Sequence, residues 1–383
     1  AGPAGASLGV ILGGLAMLVI ARSYGLMVRV FPVAGAEFAY AYSLAGRHHA
    51  YVCGWFLTLG YLSIVPLNAT ALGVLGKFLA PDLFARGYLY TVAGFDVFAG
   101  EVALAAAAIV LVGIFQYRGV RHVGGFQLLL TVVLVGGVMA IGFGTPLTAE
   151  ASADNWQPLF ASDKSPVAAV MAIVAISPWL YVGFDTLPQA AEEFDFSPSR
   201  GRRLMVWSIL AGGLMYVAVI LATASVMPWE QLVASRPIWA TGTTVKASLG
   251  SMGVTLLAVA VVAAVATGIN GFYMATSRLL FSMGRAQLLP GWFSHIHPIH
   301  GTPTNAIVFT AVVSLLAPWF GRQVLSWIVD MSALGTAFGF AYTCVAAYAV
   351  AKTRSTPGAT WDRIAAAGGA GLAVGFVLLL CVP

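Results

Sequence analysis

Charge is what this chain has least of. Asp, Glu, Lys and Arg make up 9% of its 383 residues, against roughly 25% in soluble domains. So few charges exclude a soluble globular fold over a chain of this length. Cysteine is scarce too. Cys53, Cys344 and Cys381 are scattered inside apolar segments without paired spacing, which points to buried small hydrophobes and away from a disulfide framework or a zinc site. No aromatic-basic stripe offers a surface to nucleic acid, and the net charge of +5 is explained by membrane topology. Catalytic motifs are missing as well. His48, His49, His122, His295, His297 and His300 all fall in predicted loops and no His-Glu-x-x-His occurs; the one Gly-x-Ser-x-Gly match, Gly5 to Gly9, lies inside the first apolar run rather than at a strand-to-helix turn, which argues against a membrane enzyme. A channel would need a ring of charge or a repeated filter, and neither is visible.

Apolar sequence is abundant, at 60% of residues. A helix needs about twenty apolar residues to cross the hydrocarbon. Ten such stretches lie near 5–30, 49–80, 98–117, 124–145, 165–188, 203–228, 250–284, 304–321, 324–351 and 364–382. The fold class is therefore an all-α polytopic membrane protein, read as one transmembrane domain over 1–383. The first stretch follows directly on Ala1-Gly2-Pro3 with no Met and no basic leader, so we expect the natural chain to begin upstream. It carries Gly5, Gly9 and Gly13 on one helix face, a spacing that lets another backbone approach closely.

Basic residues orient the bundle. With residue 1 outside, most of the 19 Lys and Arg fall on inner loops, among them Arg22, Arg29, Arg47, Arg121, Arg202, Arg203 and Arg285. Lys77, Arg86, Lys164, Arg236, Lys246 and Arg322 stay outside, as the positive-inside rule favours. The loop 146–164 is then an outer polar cap. Residues 29–40 read as an inner amphipathic turn and short helix. The stretch 94–101 is expected to begin the third span near the outer face and Asp330 to begin the ninth there, so Asp96, Glu101 and Asp330 are expected to be solvated. Asn68 and Thr70 lie deep in an apolar run; a hydrogen bond to a neighbouring helix and a substrate-facing role are both open.

The stretch 165–203 stands apart. Pro178 removes one backbone donor, and Gly183 and Pro188 weaken the following turns, so carbonyls from Ile173 to Ser177 are expected to lose partners. Such breaks persist at membrane depth where they face protein or a watery cavity, and in transporters they coordinate substrates or ions.

Ser177-Pro-Trp-Leu-Tyr-Val-Gly-Phe-Asp185 through Glu193, Thr276-Ser-Arg278 through Arg285 and Pro290, and His297-Pro-Ile-His-Gly-Thr-Pro303 resemble amino acid permeases of the amino acid/polyamine/organocation superfamily. Ala1 to Gly5 is similar to the junction before that family's second helix, and Phe31-Pro-Val-Ala-Gly35-Ala-Glu-Phe to its Pro-x-x-Gly-Gly turn. The resemblance implies two five-helix inverted repeats, of which this chain holds family helices two to eleven and lacks the first and last. It implies secondary active transport of an amino acid or small amine by alternating access in a bacterial inner membrane, with no cofactor beyond a coupling proton or sodium ion. His295, His297 and His300 then belong to an ordinary helix connection.

On this plan Ile176, Ser177, Pro178 and Gly183 offer carbonyls to a substrate ammonium, with Asn68 as a further substrate-binding candidate. Trp179 either closes over the substrate or packs in the core. Asp185 is the candidate coupling residue, or a structural hydrogen-bond partner. A carboxylate at membrane depth costs roughly 2.5–3.5 kcal/mol on insertion scales, so it should be partnered, protonated or near water. The run 124–144 has no lysine, which puts the lysine-based coupling of some family members in doubt. Thr276 and Ser277 suit a sodium site by their oxygens, or bond their own backbone. Glu192 and Glu193 are expected to pair with Arg200, Arg202 and Arg203. The absence of a deep acidic cluster leans towards neutral substrates. A transport-incompetent relic or an amino-acid sensor of the same fold is the second reading; oligomeric state is not legible.

Overall fold

A computed structural model of the chain describes residues 1–119, 123–163, 165–193, 197–235, 237–354 and 358–381. Arg121, His122, Lys164 and Arg236, and the side chain of Glu193, lie outside the described residues. In chain order the elements are α1 (Gly2–Val30), α2 (Ala36–Leu79), α3 (Pro81–Phe84), β1 (Tyr88–Val92), β2 (Phe95–Phe98), α4 (Ala99–Arg118) and α5 (Val123–Gly144). A broken unit follows, made of α6 (Pro166–Ala175), α7 (Ser177–Leu180) and α8 (Thr186–Gln189). The rest is α9 (Pro198–Val226), α10 (Trp229–Ala234), α11 (Ala240–Arg285), α12 (Thr304–Ser314), α13 (Gln323–Thr353) and α14 (Ala359–Cys381).

Among the described residues eight helices are long and apolar enough to cross a membrane, and Pro166–Ala175 and Thr304–Phe320 are shorter apolar helices. These ten units coincide with the ten apolar stretches. The shorter two are short for identifiable reasons: the first ends at the Pro178 break, and the second tightens into a 3-10 turn at Ala317–Phe320.

Two pairs of helices match in length across the chain. The helices α1 and α9 are both 29 residues long, and α2 and α11 have 44 and 46. Each of the latter pair opens with a ten-residue segment, 36–45 and 240–249, that turns into the long crossing helix at a glycine of positive φ, 81° at Gly46 and 62° at Gly250. Neither glycine is crowded, so backbone conformation rather than space selects the residue.

Interactions gather at two ends of the bundle. At one, Arg22 meets Asp362, Arg47 donates to the Gln287 carbonyl, Arg285 meets Glu192 and Thr302 donates to the Tyr117 carbonyl. At the other, Ser152 N–H donates to Ser225 O, Trp229 to Pro158 O and Arg322 to Pro237 O. The first end holds the arginine-rich loops, as the charge asymmetry predicts.

Two expectations are corrected. The stretch 95–98 does not open a membrane helix. It is β2 of a two-stranded antiparallel hairpin turned through Ala93 and Gly94, both at positive φ, as a right-twisting hairpin turn requires. Glu101 is not solvated either. It is buried, 2.7 Å from Lys77 Nζ, and its other oxygen caps α4 by accepting from Phe98 N–H at 3.0 Å.

Candidate functional site

The break is fixed by its neighbours as much as by its prolines. The glycine face of α1 lies directly on it. A Cβ on Gly5 would stand 3.3 Å from Ala169 Cβ, one on Gly9 2.5 Å from Ile173 Cβ, and one on Gly13 would overlap Ser177 Oγ. The four-residue spacing thus matches one ridge of α6 and α7, and Ser177 is fully buried beneath it. Regular helix stops at Ile176, resumes at Ser177–Leu180 and stops again through Tyr181–Asp185.

Several of the carbonyls expected to lose their partners have them. Ile173 O accepts from Ser177 Oγ at 3.2 Å, Ile176 O from Trp179 and Leu180 N–H at 3.0 Å, and Ser177 O from Tyr181 N–H at 3.1 Å. A new helical turn begins as soon as Pro178 has passed, with proline in its favoured first turn. The second interruption takes bonds from side chains as well as from backbone. Leu180 O accepts from the Tyr216 hydroxyl at 3.0 Å, and Gly183 O from Thr186 Oγ1 at 2.6 Å.

Trp179 packs with Val182 on the core shared by α2 and α11. Asn68 donates to Ile64 O of its own helix at 2.9 Å and sits against Gly268 of α11, where a Cβ would come within 2.8 Å of its Oδ1. In α11, Ser277 Oγ donates to Met274 O at 3.0 Å, while Thr276 Oγ1 is buried with no hydrogen-bond partner among the described residues. A cavity of about 710 Å³ opens beside the second interruption, lined by Leu180 to Phe184 and by Thr131, Ser208, Gly212, Tyr216 and Thr267. Of the predicted residues only Gly183 lines it.

Asp185 stands at the centre of a buried polar group. Its Oδ1 accepts from Gly183 N–H at 2.7 Å, a bond made possible by the left-handed turn at Gly183 (φ 127°). Its Oδ2 is 2.7 Å from the Tyr61 hydroxyl, which is 3.0 Å from Glu37 Oε1. Glu37 Oε1 also accepts from the Tyr24 hydroxyl at 2.6 Å, and its Oε2 accepts from Gln189 Nε2. Glu37, Asp185 and Gln189 are all fully buried, and among the described residues neither carboxyl forms an ion pair.

Donor counting gives this group its chemistry. A phenol carries one proton, yet Tyr61 faces an acceptor on each side. If both carboxyls were ionised, one of them would meet only lone pairs on the Tyr61 oxygen. The geometry is satisfied when one carboxyl keeps a proton and donates it to Tyr61. A carboxyl–phenol–carboxyl chain of this geometry has a place for one exchangeable proton.

Glu37 escaped notice in the sequence because its motif reads as an inner surface turn. The available signal was an acid at the second position of an apolar helix, followed by Phe and two Tyr. Glu192 also has a partner other than the one expected. Its Oε1 accepts from Arg285 at 3.0 Å and from Ala34 N–H at 3.0 Å, and no ion pair joins it to Arg200, Arg202 or Arg203 among the described residues. The Arg285 guanidinium holds the Glu192 carboxyl below the usual carboxylate range, with the Ala34 N–H adding to it and partial burial opposing. With Ser282 donating to Ala34 O at 3.0 Å, these contacts tie the 31–35 loop, the inner end of the break and the end of α11 together.

Known proteins share this arrangement of sequence. A family described as amino acid permease matches residues 1–383. The methylthioribose transporter of Bacillus subtilis (strain 168) is 28% identical over 338 residues, covering 85% of this chain and 69% of that protein. The branched-chain amino acid permease BcaP of the same organism is 26% identical over 367 residues, covering 92% of this chain and 74% of that protein. The low-affinity putrescine importer PlaP of Escherichia coli (strain K12) is 22% identical over 339 residues, covering 85% and 69%. The chain thus spans roughly two-thirds to three-quarters of these relatives' lengths. It belongs to the amino acid permease family, and is a multi-pass membrane transporter rather than an enzyme.

Proposed function

We propose that this permease moves a neutral amino acid or related small amine across a bacterial inner membrane by alternating access, driven by the proton held on Glu37, Tyr61 and Asp185. The observation that carries the reading is that group: two buried carboxyls share one phenol directly at the second interruption of the broken helix. Loading or removing the proton changes which carboxyl accepts from Tyr61. That in turn changes how Asp185 holds Gly183 N–H and how Glu37 holds Gln189, on either side of the break. Coupling needs such a link between a proton site and an element with two arrangements.

The substrate class is read from the cavity. The cavity beside the break is lined by hydroxyls and apolar groups without a charged side chain, which suits a neutral zwitterion better than a dication. The relatives carry names as different as branched-chain amino acid permease, putrescine importer and glutamate/serine transporter, so family membership alone does not choose. Proteoliposomes holding the natural full-length protein test the reading. A panel of amino acids and amines is offered under proton, sodium and exchange gradients. We expect proton-driven uptake of a neutral amino acid, abolished by Asp185→Asn while exchange survives. Sodium-driven uptake insensitive to pH would remove the coupling role, and no transport of any panel member would remove the function.

A further inference from the structure

On the arginine-rich side of the bundle, α1 and α9 leave a lateral cleft of about 490 Å³. Leu18, Arg22, Arg202, Arg203, Trp207 and Leu210 line it. Its two halves differ in character. Arg203 is exposed, as are Trp207 at 67% and Leu210 at 45%, so the cleft faces outward from the bundle. Arg202 is held between the helices, because its stem lies on Gly25, where a Cβ would overlap Arg202 Cγ.

Among the described residues, charge in the cleft is unbalanced. Arg22 is matched by Asp362, with Nη2 at 2.8 Å and Nε at 2.9 Å from Oδ1. Arg202 and Arg203 find no carboxylate among the described residues. Two guanidinium groups without a described carboxylate partner therefore border a space whose remaining lining, apart from the Asp362-paired Arg22, is apolar. Depth separates the two parts. At about 1.5 Å per residue, Arg202 and Arg203 lie about 6–8 Å inside the start of α9, while Trp207 and Leu210 lie about 14–18 Å inside. Cationic groups near the headgroup level above an apolar trough match an amphiphile with an anionic head, and soluble phosphate would leave the trough unused.

We propose that this cleft is a binding site for an anionic phospholipid of the inner leaflet, its phosphodiester held by Arg202 and Arg203 and one acyl chain laid along Trp207 and Leu210. Basic pockets between transmembrane helices on the cytoplasmic side are suited to such headgroups, and guanidinium forks suit phosphate oxygens. The site is separate from the Glu37–Asp185 group and stands or falls independently of the coupling proposal.

Native mass spectrometry of the purified full-length protein tests it, titrated with phosphatidylglycerol, with phosphatidylcholine of the same chains, and with inorganic phosphate as competitor. The expected result is at least tenfold tighter retention of phosphatidylglycerol than of phosphatidylcholine, undisturbed by millimolar phosphate. R202Q/R203Q should abolish the preference and R202K/R203K should keep most of it. Should the double Gln variant fail to fold, R203Q alone, which changes an exposed side chain, should lower the preference severalfold. The control R47Q, at another inner-side arginine, should leave it intact. Equal retention of the two lipids, or an equal loss in R47Q, would overturn the proposal, as would displacement by phosphate.

Discussion

Tyr61 and Asp185, 124 positions apart in the chain, meet at 2.7 Å in a fully buried contact that ties the second crossing helix to the interrupted one. The phenol also reaches Glu37 at 3.0 Å, so it is the only bridge between the two carboxyls among the described residues.

Tyr61→Phe keeps the ring and its tilted contact with Phe272 but removes the bridge. The two carboxyls then lose a shared partner inside the protein, at a cost of about 1–3 kcal/mol for the groups left unsatisfied. We expect a lower melting temperature in detergent and, in proteoliposomes, uptake that no longer follows the proton gradient. A variant with parental stability and an unchanged pH profile would show that the hydroxyl carries neither role.

Glu192 yields a pH prediction of defined sign. Its carboxyl sits below the usual range because Arg285 and Ala34 N–H favour the charged form. A depressed carboxyl stabilises the closed inner loop at pH values above about 4.3, the ordinary glutamate value, and that contribution is lost as the pH falls through the lowered one. Both side chains are substantially exposed, 40% for Glu192 and 50% for Arg285, so the contribution is under about 1 kcal/mol. Melting curves from pH 7 to 3.5 should show Glu192→Gln slightly less stable than the parent at neutrality. The difference should shrink toward the acid end, and one that stays constant would refute the assignment.

Much of the architecture was legible because its signals are local. Hydropathy marked the ten apolar units, proline and glycine marked the interrupted one, and the spacing of Gly5, Gly9 and Gly13 marked the face it rests on. What escaped depends on distant chain segments meeting. Glu37 lies in a motif that resembles a surface turn, and its burial comes from Tyr24, Tyr61 and Gln189 closing over it. Glu192 has three arginines close by in sequence, yet Arg202 is drawn to Gly25 of α1 and the nearer contact in space is Arg285. Of the carbonyls expected to be orphaned by Pro178, those of Ile176 and Ser177 were recovered by a fresh turn of helix and that of Ile173 by the Ser177 hydroxyl, an outcome that proline placement alone does not decide.

The glycine face gives a prediction in which position matters more than residue type. Gly13→Ala puts a Cβ onto Ser177 Oγ, and overpacking of this kind costs about 1–3 kcal/mol. Adding Ser177→Ala should recover part of that loss, because the oxygen is the closest of the clashing atoms. Gly371→Ala in α14, where a Cβ meets nothing within 4 Å, should be neutral or stabilising by up to about 1 kcal/mol. Equal effects of the two substitutions on melting would contradict the close approach of α1 to the broken helix.

At the end of the bundle away from the arginine-rich loops, Lys77 and Glu101 form an ion pair whose side chains are 13% and 3% exposed. Lys77 Nζ also donates to Asp96 O at 3.1 Å and stands 5.5 Å from the centre of the Phe98 ring, so one ammonium fastens α2 to the hairpin and to the start of α4. Removing the cation leaves a buried carboxylate with only the Phe98 N–H, and breaking a buried pair this way costs about 3–5 kcal/mol. Lys77→Met should therefore be the most damaging single change at this end. Glu101→Gln should cost less, because the amide oxygen can still cap α4 and the ammonium keeps the Asp96 carbonyl and some access to water. The double variant Lys77→Met with Glu101→Leu should melt above Lys77→Met alone, since it carries no uncompensated charge, though it gives up a cap worth about 1 kcal/mol. The order of the three melting temperatures is the decisive reading: if Lys77→Met is the mildest, Glu101 is not the buried anion that this contact describes.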